Sequence, residues 1–134
     1  GEDKKLEMNL SSLPSGAYLL KFAGTGNDKD ITYQKVVYLY STQDERPPYP
    51  TYYWCVQEKT TCAPGENAQI LVGSSAKNVY VLYEIYSNQK FMERKRFILN
   101  NSNTPLSIPY KETYGPTADV FISYITNSSW KTLL

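Results

Sequence analysis

The feature of this sequence that most constrains its fold is the alternation of apolar and polar residues over short segments. Segments such as 79–85 and 120–124 carry a large apolar residue at every second position. Successive side chains of a β-strand point to opposite faces, so a period of two indicates strands that are buried on one face. No long stretch has apolar residues at the i, i+3, i+4 and i+7 positions of a helix. The pattern therefore predicts strands.

Turn-forming residues separate the alternating segments. Clusters of Gly, Pro, Asn, Asp and Ser occur at residues 13–16, 24–28, 63–66, 73–77, 87–89 and 114–116. Short strands that recur at a spacing of roughly 8–12 residues are typical of β-sandwiches and barrels. The sequence therefore predicts an all-β chain, an antiparallel β-sandwich of the immunoglobulin-like kind. Residues 6–10 also alternate and are predicted to form a first strand.

A proline-rich segment divides the pattern in two. Residues 43–50 contain three prolines among polar residues, and proline cannot donate a hydrogen bond to the ladder of a central strand. Such a composition is typical of a semi-rigid linker. We therefore expect a hairpin within residues 1–42, a linker at residues 43–50 and a β-sandwich module in residues 51–134.

The composition argues against several classes of function. The chain has no histidine and a formal net charge of +1. The missing histidine removes the commonest general base and the commonest metal ligand, and the balanced charge provides no positive field for a phosphate backbone. No apolar run approaches the roughly 20 residues of a membrane-spanning helix. We therefore expect no catalytic residue, cofactor, bound metal, nucleic-acid partner or membrane span.

The two cysteines, Cys55 and Cys62, allow two interpretations. A disulfide between them would close a short loop and stabilise the fold by about 2–3 kcal/mol in an oxidising compartment. Alternatively, the two thiols are separate and buried, as free cysteines commonly are. A zinc site is not expected, because two further ligands at close spacing are missing.

Four aromatic residues, Tyr49, Tyr52, Tyr53 and Trp54, lie close together in the sequence. Exposed aromatic rings bind sugars and partner proteins, so the cluster is a candidate contact surface. The other interpretation is that alternate members are buried in the sandwich with their polar ends at the surface. Both interpretations are open, and we prefer the second.

Residues 62–85 read CAPGENAQILVGSSAKNVYVLYEI and are followed by ERKRFILNNSNTPLSIPY and GPTADVFISYITN. A Pro-Gly-Glu turn that leads into strands of this kind resembles the macroglobulin-like domains of the alpha-2-macroglobulin family, especially its bacterial members. Nearer the start, LSSLPSGAYLLKFAG and ITYQKVVYLYS resemble the last hairpin of a preceding macroglobulin-like domain. The resemblance thus covers nearly the whole chain as two unequal pieces.

The resemblance implies a non-catalytic structural or interaction module of a large bacterial protein that is periplasmic, associated with the outer membrane, or secreted. The implied partners are the other domains of the parent chain, together with proteases or envelope proteins. The family's reactive Cys-Gly-Glu-Gln thioester is missing, because Cys55 precedes Val-Gln-Glu and Cys62 precedes Ala-Pro-Gly. A protease-trapping role and an envelope scaffold role are therefore both open. The alternative function is a carbohydrate-binding sandwich that uses the aromatic residues at 49–54.

The end of the chain raises a question of strand pairing. By the resemblance, a closing strand should follow the turn at residues 127–129, and the five residues 130–134 barely suffice for it. An unpaired strand edge exposes N–H and C=O groups that pair with another chain. We therefore expect that the hairpin of residues 1–42 packs against the module or that two copies form a homodimer. Removal of residues 1–42 is then expected to destabilise the remainder.

Overall fold

The alternating segments form antiparallel strands, with one exception near the start of the chain. The computed structural model describes the backbone of residues 7–126 and 129–133 and the side chains of residues 7–126. Strands account for 59% of the chain, and the described residues contain no α-helix, which confirms the all-β prediction. The chain divides into two compact units, residues 1–41 and residues 42–134.

The first unit is built on a β-hairpin. Its strands, β1 (Gly16–Gly26) and β2 (Lys29–Leu39), pair antiparallel along their full length. Asn27 and Asp28 connect them with φ angles of 52° and 60°. Positive φ at both central residues identifies a type I′ turn, whose twist matches that of the flanking strands. The predicted loop at residues 24–28 was therefore too long, because β1 continues to the turn.

The one alternating segment that does not form a strand lies at residues 6–10. Residues 7–10 pair with no other segment in the described part of the chain, and Leu6 lies outside it. The backbone N–H of Leu13 donates to the carbonyl oxygen of Leu10 at 3.0 Å. The chain therefore turns here, and the prediction of a strand over the described residues of this segment was wrong.

The second unit is a β-sandwich of two antiparallel sheets. One sheet has the strand order β3-β4-β7, and its strands are β3 (Trp54–Lys59), β4 (Asn67–Ser74) and β7 (Ser102–Pro109). The other has the order β6-β5-β8-β9, and its strands are β5 (Val79–Ser87), β6 (Lys90–Leu99), β8 (Asp119–Thr126) and β9 (Ser129–Leu133). This arrangement confirms the predicted immunoglobulin-like sandwich.

The core of the second unit lies between its two sheets and follows the predicted period of two. Along β5, Val79, Val81 and Ile85 are almost completely buried, whereas Tyr80 is 54% exposed. The facing positions of the other strands complete the core: Ile70, Val72, Leu99, Leu106, Ile108, Ile122 and Tyr124. Full burial of one such side chain contributes about 1.5–3 kcal/mol. Apolar burial is therefore the main attraction between the sheets.

Several sheet edges of the second unit carry features that discourage pairing with another chain. The edge strand β6 contains the charged run at residues 93–96. On the other sheet, the edge strand β7 contains Pro105 and Pro109, and β3 has a bulge between Gln57 and Lys59. Charges, prolines and bulges are common means by which natural sheets avoid edge-to-edge association.

The closing strand of the second unit is present. β9 pairs with β8 from Ser129 opposite Thr126 to Leu133 opposite Ile122. The three-stranded and four-stranded sheets thus contain seven strands in all. The expectation of a missing closing strand was wrong, because β8 offers a complete hydrogen-bond ladder to this short segment.

We expect residues 42–134 to fold without the hairpin, since their two sheets are complete and share one core. Urea unfolding of this fragment, followed by circular dichroism, should give a single cooperative transition, and sedimentation should give a monomer. An aggregating or non-cooperative fragment would contradict this and would support the sequence-based expectation that residues 1–42 are required.

Candidate functional site

The four clustered aromatic residues lie in different environments. Trp54, the first residue of β3, is only 8% exposed. Its ring and the ring of Tyr49 pack edge to face, with their centroids 5.8 Å apart. The ring of Tyr53 lies 5.4 Å from that of the core residue Tyr124. Tyr52 is 60% exposed. Tyr52 is thus the one member whose side chain is mainly exposed.

This geometry bears on the sugar-binding interpretation of the cluster. A stacking surface needs several exposed ring faces on one side of the molecule. Tyr53 and Trp54 are consecutive at the start of a strand, so their side chains point to opposite faces of the sheet. The structure brings together Tyr49 with Trp54, and Tyr52 with Tyr53 at 6.3 Å. Two separate ring pairs result, and a contact role for Tyr52 stays a prediction.

Trp54 belongs to a second apolar layer on the outer face of the three-stranded sheet. The strand register places Trp54 opposite Gly73 and Val56 opposite Leu71, which in turn lies opposite Pro105. Leu71 is 1% exposed, although the residues on either side of it face the inner core. β4 is therefore buried on both faces, as central strands under a second layer are.

Residues 42–53, here called the strap, are hydrogen-bonded to the sandwich just before β3. The backbone N–H of Ser75 donates to the carbonyl oxygen of Thr51 at 2.7 Å, and the N–H of Thr51 donates to the Ser75 hydroxyl at 3.0 Å. That hydroxyl donates to the carbonyl oxygen of Tyr49 at 3.2 Å. Part of the segment predicted as a linker, residues 43–50, is thus fixed to the second unit.

Asn103 of β7 holds the other end of the strap. Its backbone N–H donates to the carbonyl oxygen of Glu45 at 2.8 Å, and its Nδ2 donates to that of Asp44 at 3.1 Å. The residue opposite Asn103 is Gly73. A β-carbon at Gly73 would lie 3.2 Å from Cγ of Pro47 and closer still to Oδ1 of Asn103. Glycine at this position leaves room for the Asn103 side chain that bonds the strap and for Pro47 of the strap itself.

A buried hydrogen bond joins the two sheets beneath the aromatic cluster. The hydroxyl of Tyr124 on β8 donates to the carbonyl oxygen of Trp54 on β3 at 3.0 Å. Burial raises the pKa of the Tyr124 hydroxyl well above its ordinary value, and the nearby Cys55 raises it further. The phenol therefore stays protonated and keeps this bond at all ordinary pH values.

Cys55 and Cys62 carry free thiols in the structure. Cys55 packs against the core from β3, and its burial raises the pKa of the thiol. The reactive thiolate is therefore disfavoured at this position. Cys62 lies half-buried in the loop between β3 and β4. A disulfide between the two residues stays a prediction.

A group of ionisable side chains surrounds Glu93 on β6. Its carboxylate accepts a hydrogen bond from the Tyr114 hydroxyl at 3.1 Å and lies 3.3 Å from Nζ of Lys95 and 3.4 Å from Nζ of Lys111. Partial burial opposes ionisation, but these three groups together hold the pKa of Glu93 below its usual range. The group links a short 3₁₀ helix, Glu112–Tyr114, to β6. Its geometry is that of a structural ion pair network.

Two observations concern metals and membranes. Within the described residues, no group of three or more His, Cys, Asp or Glu side chains is placed to hold a metal ion. In the same part of the chain, no helix has the length and apolar character needed to cross a membrane.

Comparison with known families assigns the sandwich. Residues 54–132 match the alpha-2-macroglobulin bait region domain. The chain belongs to this family. The match begins at the first residue of β3 and ends within β9, so it covers both sheets of the second unit. Comparison with curated proteins and comparison with solved structures each gave no match. The family identified from the resemblance is confirmed, whereas its bacterial type is not addressed by the match.

Ser75 and Asn103, which hold the strap, carry no functional signal in the sequence. Gly73 was assigned to a turn at residues 73–77, but Gly73 and Ser74 belong to β4. A glycine inside an apolar strand is a known sign of close backbone approach. That sign was available in the sequence, whereas the identity of the approaching segment was not.

We expect Trp54→Ala to lower the free energy of unfolding by about 3–5 kcal/mol, because it leaves a cavity in the outer apolar layer. Tyr52→Ala is the matched control, and its exposed side chain should change stability by only about 0.5 kcal/mol. Urea unfolding of both variants measures the difference. Equal losses, or a stable Trp54→Ala variant that fails to bind some ligand, would favour a surface role for the cluster.

We expect stability to fall above about pH 10, the ordinary pKa of tyrosine, because the unfolded chain then loses a proton that folded Tyr124 retains. Tyr124→Phe should cost about 1 kcal/mol at neutral pH through the lost hydrogen bond, and its stability should fall less steeply at alkaline pH. Urea midpoints between neutral and alkaline pH measure both effects. The exposed Tyr80→Phe variant is the control, and it should keep the original profile. Identical profiles for Tyr124→Phe and the unmodified chain would show this prediction to be wrong.

Proposed function

We propose that this chain is a non-catalytic interaction module of an extracytoplasmic alpha-2-macroglobulin-like protein, and that it forms part of the rigid frame of a protease-trapping assembly. The observation that carries this proposal is the agreement between the family match at residues 54–132 and the complete sandwich from β3 to β9. The name of the matched domain, a bait region domain, associates it with proteolysis.

The loop between β3 and β4 supports a role as frame. The carboxylate of Glu66 accepts hydrogen bonds from Nζ of Lys59 at 2.9 Å and from the N–H of Ala63 at 3.0 Å. The N–H of Glu66 in turn donates to the carbonyl oxygen of Ala63 at 3.0 Å. The bonds from Ala63 and Lys59 both lower the pKa of Glu66, and the bond from Ala63 has the larger effect. A loop held in this way is a poor protease substrate, since a protease needs a free, extended stretch of chain.

The strap supports the same role. It is exposed over much of its length, yet it is bonded to the sandwich at both ends through Asn103 and Ser75. The β3–β4 loop and the strap are therefore both bonded within the second unit. A module of this kind keeps its shape while a cleavable segment elsewhere in the parent protein is cut.

The proposed location is the periplasm, the outer membrane surface or the medium, as the family resemblance implies. The proposed partners are the other domains of the parent chain, together with the proteases that it traps. An envelope scaffold without trapping activity is the other possible outcome. The carbohydrate-binding alternative has only Tyr52 as a mainly exposed ring within the cluster, so we expect no heat of binding in calorimetry with sugars.

The experiment uses the longer protein of which, under the proposal, this chain is a module. It is incubated with an active protease such as trypsin and separated by size-exclusion chromatography. Under the proposal, protease activity towards a small peptide substrate co-elutes with the longer protein. The Trp54→Ala variant, which weakens the frame, should retain less protease than the Tyr52→Ala control.

Two results would count against the proposal. If the unmodified longer protein retained no protease of any specificity, the trapping role would be abandoned in favour of a scaffold. If Trp54→Ala retained as much protease as Tyr52→Ala despite reduced stability, the module would not be part of the frame that trapping requires.

A further inference from the structure

The two outer faces of the sandwich differ in what covers them. On the three-stranded sheet, the outer face carries the apolar layer of Trp54 and Leu71, and Pro47 of the strap approaches it. Within the described residues of the second unit, the large apolar side chains that are well exposed are Tyr52, Tyr80, Phe91, Ile98 and Ile125. All of them except Tyr52 lie on the outer face of the four-stranded sheet. Such clustering is typical of a contact surface, whereas scattered exposed apolar residues are not.

The outward side chains of β6, β5 and β8 are here called the β5 face, and one end of this face is an apolar row. Tyr80 of β5 lies opposite Ile98 of β6 on one side and opposite Ile125 of β8 on the other. Residues paired in this way direct their side chains to the same face of the sheet. All three side chains are half-exposed, so a partner with apolar side chains would remove this area from water.

The other end of the β5 face is held by contacts within the sheet. The ring of Tyr86 packs edge to face against Phe91 and against Phe121, with centroids 5.8 Å and 5.4 Å away. The guanidinium group of Arg94 lies 5.3 Å from the centre of the Phe91 ring. Its Nη2 lies 2.7 Å from the carboxylate of Glu84. The charged and aromatic groups at this end therefore interact with one another.

Arg96 lies between the apolar row and this group. It is on β6, opposite Leu82 of β5. Its side chain is exposed and, unlike that of Arg94, forms no ion pair with any described residue. A cation beside an apolar row is complementary to a surface that presents a carboxylate next to apolar side chains.

The size of the β5 face indicates the kind of partner that it fits. β5 pairs with both neighbours from Tyr80 to Tyr86. With about 4.8 Å between strands and about 3.4 Å per residue, the three strands cover roughly 340 Å² over this range. A contact over the whole face would bury roughly 700 Å² when both partners are counted, or roughly 850 Å² with the short strand β9.

An area of this size fits a neighbouring domain better than a separate protein or a second copy. Domains of one chain typically share about 600–1,500 Å², whereas specific complexes of separate proteins typically bury about 1,200–2,000 Å². A domain in the same chain is also held at an effective concentration in the millimolar range, so a small contact suffices to keep it bound.

We propose that the β5 face is the docking surface for another domain of the parent protein. That domain places an Asp or Glu against Arg96 and apolar side chains against the row at Tyr80. The inference rests on the proposed function in that it requires a longer parent protein. It adds the surface and the contact chemistry through which the module joins the frame.

The first test compares the isolated chain with the longer protein. Hydroxyl-radical footprinting with mass spectrometry measures the oxidation rate of each side chain. Tyr80, Ile98 and Ile125 should be oxidised about tenfold more slowly in the longer protein if the contact is made about 90% of the time. Tyr52 is the internal control and should keep its rate. Equal rates for the apolar row in the two proteins, or the same protection at Tyr52, would overturn the proposal.

The isolated chain also distinguishes a neighbouring domain from a second copy. Its oxidation rates at the apolar row should not depend on its concentration. Protection that increases with the concentration of the isolated chain would show that a second copy occupies the β5 face, and the proposal would be wrong.

Arg96→Glu tests the proposed carboxylate on the docked domain. In the longer protein this change opposes two negative charges, so it should restore most of the oxidation at the apolar row. Lys77→Glu, in the exposed turn between β4 and β5, makes the same charge change and should leave the protection intact. In the isolated chain both variants should keep the original urea midpoint, because neither side chain forms an ion pair with a described residue. Protection that survives Arg96→Glu would contradict the proposed contact.

The docking surface and the trapping role can fail separately. A longer protein that retains no protease, yet protects the apolar row, would support the docking surface and count against trapping. A longer protein that retains protease while the row is oxidised as in the isolated chain would overturn the docking surface alone.

Discussion

The structure of the second unit depends on the burial of alternate side chains between two sheets. Val72, Val81 and Tyr124 come from three different strands, and each is completely buried. Because the side-chain period of a strand is two, a slip of one residue in any of these pairings would expose a whole inner face. The register of both sheets is thus determined by the same apolar contacts that stabilise them. The hydrogen bond from Tyr124 to the carbonyl group of Trp54 adds a directional link across this core.

A second apolar layer lies on the outer face of the three-stranded sheet, and a simple sandwich does not require such a layer. On the outer face of β4, Leu71 is covered in a layer that includes Trp54, and Gly73 leaves room for the Asn103 side chain and Pro47. The strap contains three prolines, and it is held by hydrogen bonds to Ser75 and Asn103 together with the ring contacts of Tyr49 and Tyr53. These contacts fix to the sandwich a segment whose composition is that of an open linker, although much of it stays exposed.

The candidate site is accordingly a structural feature. The cluster at residues 49–54 supplies one ring to the inner core, a ring pair to the outer layer and one exposed tyrosine. Sequence proximity alone could not distinguish these outcomes, because consecutive residues at the start of a strand separate to opposite faces. The family match covers this sandwich and starts at Trp54, so the aromatic residue that anchors the outer layer is also the first residue of the matched domain.

The sequence by itself determined the fold class, most of the strands and the family. These follow from short-range properties: the period of two, the turn residues, and a succession of motifs along the chain. The tertiary structure alone decided how Trp54 is covered, why Gly73 is a glycine, that the segment at residues 43–50 is bonded to the sandwich, and that residues 129–133 close the sheet. The environment of Gly73 and the bonding of residues 43–50 depend on contacts between residues far apart in sequence, such as Asn103 with Asp44. No local sequence pattern identifies such a partner, because the contact stabilises the chain only after the sheets have formed.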